Sequence, residues 1–572
     1  MSDASRRVWF TGPSQRSGPL TMGQSNMLLC MTTDKPAHIN VSAVWELPQG
    51  TDLDRIAGAL AALHARHETL RTTFPAGPDD PEPRQVVHAE GELEVQVCPA
   101  PDDGSDVGLF AQELALRLRA IAFDPSADRP VRAAVVTSGG APTHLALAAS
   151  HAALDAGALV LLRRDWDALL AAEPLPAPAK VQPLDLALLE RSEEGRLRSA
   201  RSLDYWAGQL RTTPQAMLAV PATHASQAPD GWTPRLRIRS DAAAEALTVL
   251  AERTRITRST LLLTALCALT AHYTGQRHAV VASLSANRYL PELSDYLGTL
   301  AQDALVTVPV DIGGGETFEG LARRVRKRSQ LAYPNSWFDS AQLWDLMDRI
   351  GVERGTRFAR DCVFNDLTPL GMDGGAPHGH LEPRDPARRI QLDWLPDEPL
   401  HVELVLWAFQ VEGELDMSLF ANPARLARPD AEAFGRGLAT LLVEAARGGV
   451  ELARIEAITG LAPVVRGPRW LVSDGCWVDL DEVDDLLATV LAGLPRSEPY
   501  AFKTVTEPDE RLGRRLVCEL TVPDAGDPPS PADLERIHAA CVAALPRRPA
   551  AMAPHLYRVS TGATGTSGRP SR

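Results

Sequence analysis

The residues best suited to chemistry in this chain are Ser150-His151-Ala152-Ala153-Leu154-Asp155-Ala156-Gly157. They follow an apolar run, 143–149, that reads as a buried strand, and precede a second run, 158–162, that opens a helix. The end of a strand is a place from which a rigid sheet can aim an imidazole into a cleft. Imidazole takes and returns a proton near neutral pH without a large environmental shift, so His151 is a candidate general base. Asp155, four residues on, suits the N-cap of the following helix and the turn that presents the ring. Ser150 beside a histidine looks like a nucleophile. Strand neighbours face opposite sides, however, so its hydroxyl is expected to point away from His151. A strand-end histidine that only satisfies hydrogen bonds is the competing reading of these eight residues alone.

Other groups read more plainly. His378-Gly379-His380 has the look of a metal pair, but it lies in a Gly- and Pro-rich stretch without a third ligand nearby and reads as a loop. Arg323, Arg324, Arg326, Lys327 and Arg328 form one basic face of a helix, best read as solvated. Glu403 and Trp407 fall on a strand whose inward face alternation does not decide.

The elements that must hold His151 follow from periodicity. Residues 38–47 alternate as a strand. Thr51 with Asp54 suggests a helix start, and Leu53, Ile56, Ala57, Leu60 and Leu63 keep helical spacing. Strands are expected at 85–88 and 93–98, a helix at 109–122, and a hairpin at 131–149 leading into His151. Residues 173–183 (EPLPAPAKVQP) read as an extended linker. Beyond it come a helical stretch containing Tyr205-Trp206, a loop over 213–234, one helix over 242–272, an extended 279–288 and a strand at 304–310. A helix at 318–332, a surface loop at 371–389, two strands within 400–420 and a helix at 429–446 complete this unit. The texture changes near Gly460: helix 480–491, strands 501–505 and 515–522, helix 531–545, then an irregular tail.

Composition bounds the function. The 572 residues suffice for two to four domains, and a hydrophobic share of 45% with 23% charged residues is ordinary for a globular protein. A net charge of −15 offers no basic face for nucleic acid. Seven scattered cysteines without a Cys-x-x-Cys pair suggest reduced thiols. The opening residues lack the apolar core of a signal peptide, and the longest uncharged apolar run, 261–271, is too short for a bilayer. A cytoplasmic protein is expected, with no nucleic acid or membrane among its partners.

Five segments in order resemble condensation domains of nonribosomal peptide synthetases: Arg66 to Phe74 (RHETLRTTF), Ser150 to Gly157, Asp204-Tyr205-Trp206 with Leu210, Ser285-Ala286-Asn287-Arg288 followed by Tyr296-Leu297-Gly298, and Phe364-Asn365-Asp366. The resemblance implies an α/β fold of two chloramphenicol-acetyltransferase-like halves arranged as a V-shaped pseudo-dimer, with His151 midway along a tunnel between them. It implies attack of an amine or hydroxyl, free or carrier-bound, on a thioester delivered by a carrier protein's phosphopantetheine arm, with no resident cofactor or metal. His151 matches the family's catalytic histidine, and Asp155 its structural aspartate, paired with Arg288. Two positions depart. Ser150 replaces the first motif histidine. Ala156 replaces the motif glycine, where a Cβ narrows the backbone conformations beside the reacting carbonyl, although Gly157 follows. The motif expected near 333–338 is poorly matched. On this resemblance the basic helix has a second reading, as a surface that meets an acidic carrier.

Trp477 to Val483, Arg515-Leu516-Val517 and Thr566-Ser567-Gly568-Arg569 resemble the small C-terminal subdomain of adenylating enzymes, with Arg569 in place of the lysine. Arginine is not a neutral exchange for it, so this α+β segment reads as a remnant or docking module. The expected division is therefore 1–178 and 179–458 for the two halves and 461–572 for the module. Three functions are consistent: a freestanding condensation enzyme, an inactive module recruiting carrier proteins or tailoring enzymes, and a coenzyme A-dependent acyltransferase.

Overall fold

The computed structural model describes residues 4–13, 15–76, 83–221, 232–372, 389–400, 402–494, 500–522, 528–561 and 566–568. A first sheet runs Ala4–Thr11, Glu90–Pro99, Val131–Ser138, Ala141–Ala149, Val41–Glu46, with one parallel pairing, between the second and third strands. Along Ala141–Ala149 the side chains alternate. Leu145, Leu147 and Ala149 pack under helices Leu53–Arg66 and Ala156–Leu170, whereas Ala146 and Ala148 face helix Val107–Arg119. The strand that ends at the catalytic candidate is thus clamped on both faces.

A second, seven-stranded sheet runs Gln302–Pro309, His278–Ser285, Cys362–Asp366, Leu404–Gln410, Leu415–Ala421, Thr233–Ser240, Gln391–Glu398. Its core is built on helix Arg258–Thr274, buried at every position from Leu261 onward, and flanked by Asp241–Thr254, Phe318–Ala332 and Arg428–Arg447. A helix apolar all round has to be covered all round.

Several expectations are corrected. The single helix over 242–272 is two, broken where Arg255 turns left-handed (φ 58°) and Thr257 caps the next helix. Strand 38–47 begins only at Val41, because Pro36 opens a short helix, Pro36–Ile39. Asp52, not Thr51, caps helix Leu53–Arg66, accepting from Arg55 N at 2.8 Å. Strands Thr233–Ser240 and Gln391–Glu398 and helix Ser340–Arg354 lie where none was expected. The tail is not irregular: Leu556–Thr561 pairs parallel to Gly513–Val522, and Thr566–Gly568 adds to its edge. Most of the loop over 371–389, with His378 and His380, lies outside the described residues, as does Arg569.

The C-terminal body packs helices Leu480–Ala492 and Pro531–Ala544 on a sheet containing Ala501–Asp509 and Gly513–Val522. Arg354 joins it to the seven-stranded half. Its Nε donates to Asp474 Oδ2 at 2.6 Å, one terminal nitrogen to Asp474 O at 2.9 Å, and the other to Thr213 O at 2.8 Å. The two side chains are only 5% and 11% exposed. Ala553 N donates to Gly355 O (2.8 Å) beside them, and Trp477 Nε1 to Gly275 O (3.3 Å). A cavity of about 440 Å³ opens along this seam, lined in part by Phe358, Arg425, Trp477 and Arg548. Replacing one partner of an enclosed ion pair leaves the other charge uncompensated. Arg354→Met is therefore expected to cost about 3–5 kcal/mol in urea unfolding and to hasten proteolytic release of the C-terminal segment. Arg354→Met combined with Asp474→Leu should recover much of that loss.

Candidate active site

His151 sits in a turn immediately after strand Ala141–Ala149, which is central enough to pair on both sides, Ala149 opposite Val41 and Val131. The turn is held by its main chain. Ser150 N donates to Pro130 O at 2.9 Å, and Ser150 O accepts from Ala153 N at 2.9 Å and Leu154 N at 3.2 Å. Thr69 adds a buttress, its hydroxyl donating to Ala153 O at 2.9 Å. That threonine belongs to the segment Arg66 to Phe74. In the same segment Arg66 Nε (2.9 Å) and His67 Nε2 (3.0 Å) grip Asp165 on the helix behind the turn. Burial would raise the Asp165 carboxyl, but His67 and the arginines around it bring it down to about 2.

The His151 ring is half-buried. Its Nδ1 is enclosed without a hydrogen-bond partner, whereas Nε2 is not enclosed and bonds to no described group. Burial pushes the imidazole below its usual range. Its own main chain and the Asp155 carboxylate oppose that, and the charge of Arg119 reinforces it. The ring is accordingly a neutral base near pH 7. Ser150 is buried, with its hydroxyl 3.7 Å from Met31 Sδ.

Asp155 ties the halves together. One oxygen caps helix Ala156–Leu170 through Ala158 N at 2.8 Å. Arg288 grips both oxygens, at 3.0 and 2.8 Å. Leu300 N and Ala301 N donate to Oδ2 at 2.9 and 3.1 Å. Burial would raise this carboxyl, but the guanidinium and the backbone donors hold it below the ordinary range. Arg288 is aimed by Asn287, which is left-handed (φ 52°) and donates to Leu300 O and Ser336 O at 3.2 and 2.9 Å. Asparagine tolerates that conformation better than most residues. Leu297, from the same crossing segment, is buried in the core of the first half.

The two departures from the motif now have a place. Ala156 is the first residue of a right-handed helix, where a Cβ meets no conformational penalty, so the expected narrowing beside His151 does not apply. The position that needs glycine is Gly157, where a Cβ would stand 2.7 Å from an Arg288 terminal nitrogen.

Trp407 packs against Phe420 with the rings tilted by 58° (4.7 Å between centroids), and Glu403 precedes its strand and accepts from Asn422 at 3.0 Å. On the basic helix Arg323, Arg326 and Lys327 are exposed, and Arg324 is paired with Glu316 at 2.6 Å. Among the described residues no cluster of three or more metal-ligating side chains occurs. Sequence reading missed Arg119, and it missed a polar strip on Thr233–Ser240. There Arg235, Arg237 and Arg239 are buried and paired with Glu398, Asp416 and Asp393. The strip had a signal, arginine at every second position from 235 to 239, alternating with Leu236 and Ile238.

The condensation-domain family matches residues 14–366. Cyclosporin synthetase simA of Tolypocladium inflatum is 28% identical over 409 residues, 68% of this chain and 2% of that protein. Phosphinothricin tripeptide synthetase PhsC of Streptomyces viridochromogenes is 28% identical over 340 residues, 57% of this chain and 29% of that one. The chain thus spans only a small part of these curated relatives. A crystal structure of holo-AB3403, a four-domain nonribosomal peptide synthetase bound to AMP and glycine, superposes with a TM-score of 0.60 at 15% identity, covering 86% of this chain and 37% of that one. The fold is therefore the α/β, chloramphenicol-acetyltransferase-like one of condensation domains.

A carboxyl lowered by folding stabilises above its unfolded value, near pH 4, and that contribution is lost as pH falls through the folded value. Asp155→Asn should cost about 3–5 kcal/mol at pH 7, Arg288 being left without its counter-charge. It should also flatten the loss of stability that the wild type shows below about pH 4. Urea melts across pH check both.

Proposed function

The chain belongs to the condensation-domain family of nonribosomal peptide synthetases, and we propose that it acts as a freestanding, cytoplasmic enzyme with His151 at its centre. Residues 1–178 and 179–458 are its two halves, and 461–572 is a docked module that does not adenylate. The donor is an acyl or aminoacyl thioester on a carrier protein's phosphopantetheine arm. The acceptor is an amine, or a hydroxyl, either free or carried.

One observation supports this most. A neutral imidazole stands with Nε2 open where the two halves meet, backed by the Asp155–Arg288 tie. The acceptor nitrogen attacks the thioester carbonyl, the C–N bond forms and the C–S bond breaks. The sulfur leaves as a thiolate on the carrier arm, and His151 Nε2 takes the proton the amine gives up and returns it to that sulfur, which regenerates the neutral ring. Holding two tethered reactants in line supplies much of the rate, so the proton transfer adds to an existing advantage. Arg354 pins the segment after 461 to the seven-stranded half, which supports a docked rather than a swinging role for it.

A second reading, a non-catalytic module that recruits carrier proteins or tailoring enzymes, is favoured by Ser150 standing in place of the first motif histidine. A third, coenzyme A-dependent acyl transfer, needs no carrier. Incubation with an acyl-loaded carrier supplied as a separate protein, with product followed by intact mass, separates the three. Product that falls about 10²–10⁴-fold in His151→Ala carries the proposal. Carrier binding without product in either protein carries the second reading, and equal use of a coenzyme A thioester the third.

Because burial lowers the imidazole, the acid limb of kcat/KM should lie below pH 6.5. With a hydroxyl acceptor, which does not itself titrate here, activity is then flat from pH 7 to 8, and a limb centred above 6.5 overturns the assignment of His151 as base.

A further inference from the structure

We propose that Arg119 is a specificity-determining residue that recognises a free carboxylate on the substrate brought to His151. This assignment rests on the condensation reading given above.

Arg119 is the last residue of helix Val107–Arg119. Its place near the turn follows from strand register. Val41 pairs with Ala149, so Asn40 lies across from Ser150, and Asn40 Nδ2 donates to Arg119 O at 3.0 Å and to Ile121 O at 3.1 Å. Arg132 holds the same bend from the adjacent strand, at 2.9 Å to Ile121 O and 2.7 Å to Ala122 O. The main chain at 119 is therefore fixed one strand away from the catalytic turn.

The charge of the Arg119 side chain is felt by His151 in the first half, and Glu398 of the second acts on it in turn. Its Nε is enclosed with no acceptor, and no described side chain hydrogen-bonds its guanidinium. Glu398 cannot serve it fully, being engaged by Arg235 at 3.1 Å. Other arginines of the second half have carboxylate partners: Arg237 on Asp416, Arg239 on Asp393 at 3.0 Å, Arg360 on Asp303. Arg119 differs from them in having no carboxylate paired with it among the described residues, while its Nε is enclosed.

A planar fork of donors matches a carboxylate better than any neutral group. An acceptor held on a carrier has its carboxyl consumed in the thioester, whereas an untethered amino or hydroxy acid keeps it. A donor acyl chain with a terminal carboxylate would present the same chemistry from the other side. The shared ligand chemistry is a carboxylate within reach of His151, and acceptor and donor sources are separable by experiment.

The test uses the full chain with butyryl- and succinyl-loaded carrier. Free amino acids are compared with their primary amides as acceptors, for wild type, Arg119→Gln and Arg119→Lys. The expected wild-type result is a preference of about 10- to 100-fold in kcat/KM for the carboxylate member of one pair. That preference should fall to near unity in Arg119→Gln and be partly kept in Arg119→Lys, with unchanged thermal unfolding in both. Selectivity among acceptors assigns the carboxylate to the acceptor, and selectivity of succinyl over butyryl assigns it to the donor. Product without any carboxylate preference in the wild type overturns the assignment alone, as does an unaltered preference in Arg119→Gln. Absence of product from every pair overturns the condensation reading and this inference with it.

Discussion

The structure depends on a carboxylate that stays charged where water is excluded. Asp155 caps a helix of one half, receives both arms of Arg288 and takes two backbone donors from the other half. Such a group repays its desolvation only when nearly every lone pair is used, and here they are. The same residue starts the helix behind His151, so the contact that joins the halves also sets the turn that carries the ring. Gly157 belongs to this unit, because only a residue without a Cβ lets the guanidinium lie against the helix.

Around the imidazole the charges compete. Burial and Arg119 favour the neutral ring, and Asp155 favours the protonated one. Because Asp155 is occupied by Arg288 and backbone donors, its pull on His151 is reduced, and burial prevails. The site is thus better prepared to accept a proton than to hold one. Thr69 donates its hydroxyl to the main chain of the turn, and the Ser150 hydroxyl lies beside the Met31 sulfur.

The segment after 461 is held by a comparable device. Arg354 is enclosed and fills its donors with Asp474 and main-chain oxygens of the seven-stranded half. Two enclosed arginine pairs, one between the halves and one at the C-terminal seam, therefore define how the bodies are assembled. Directional, bidentate pairing suits this better than apolar contact, which is tolerant of sliding.

Local patterns by themselves determined a good deal. Helix Phe318–Ala332 and hairpin 131–149 follow from periodicity and turn residues, because a stripe or an alternation is a local property of the chain. The ordered segments of the condensation resemblance were likewise legible, including which imidazole to examine. Strand Thr233–Ser240 was readable in principle, yet arginine at alternate positions looks like surface until a partner strand supplies carboxylates. The break at Arg255 carries no glycine or proline to announce it. Only the tertiary structure decided what stands around His151. Asp155 and Arg288 are 133 residues apart, and Arg119 comes near the ring through the pairing of Val41 with Ala149 and the reach of Asn40. Burial, and the charge each buried group must find, are properties of the assembled halves, and no spacing along the chain encodes them.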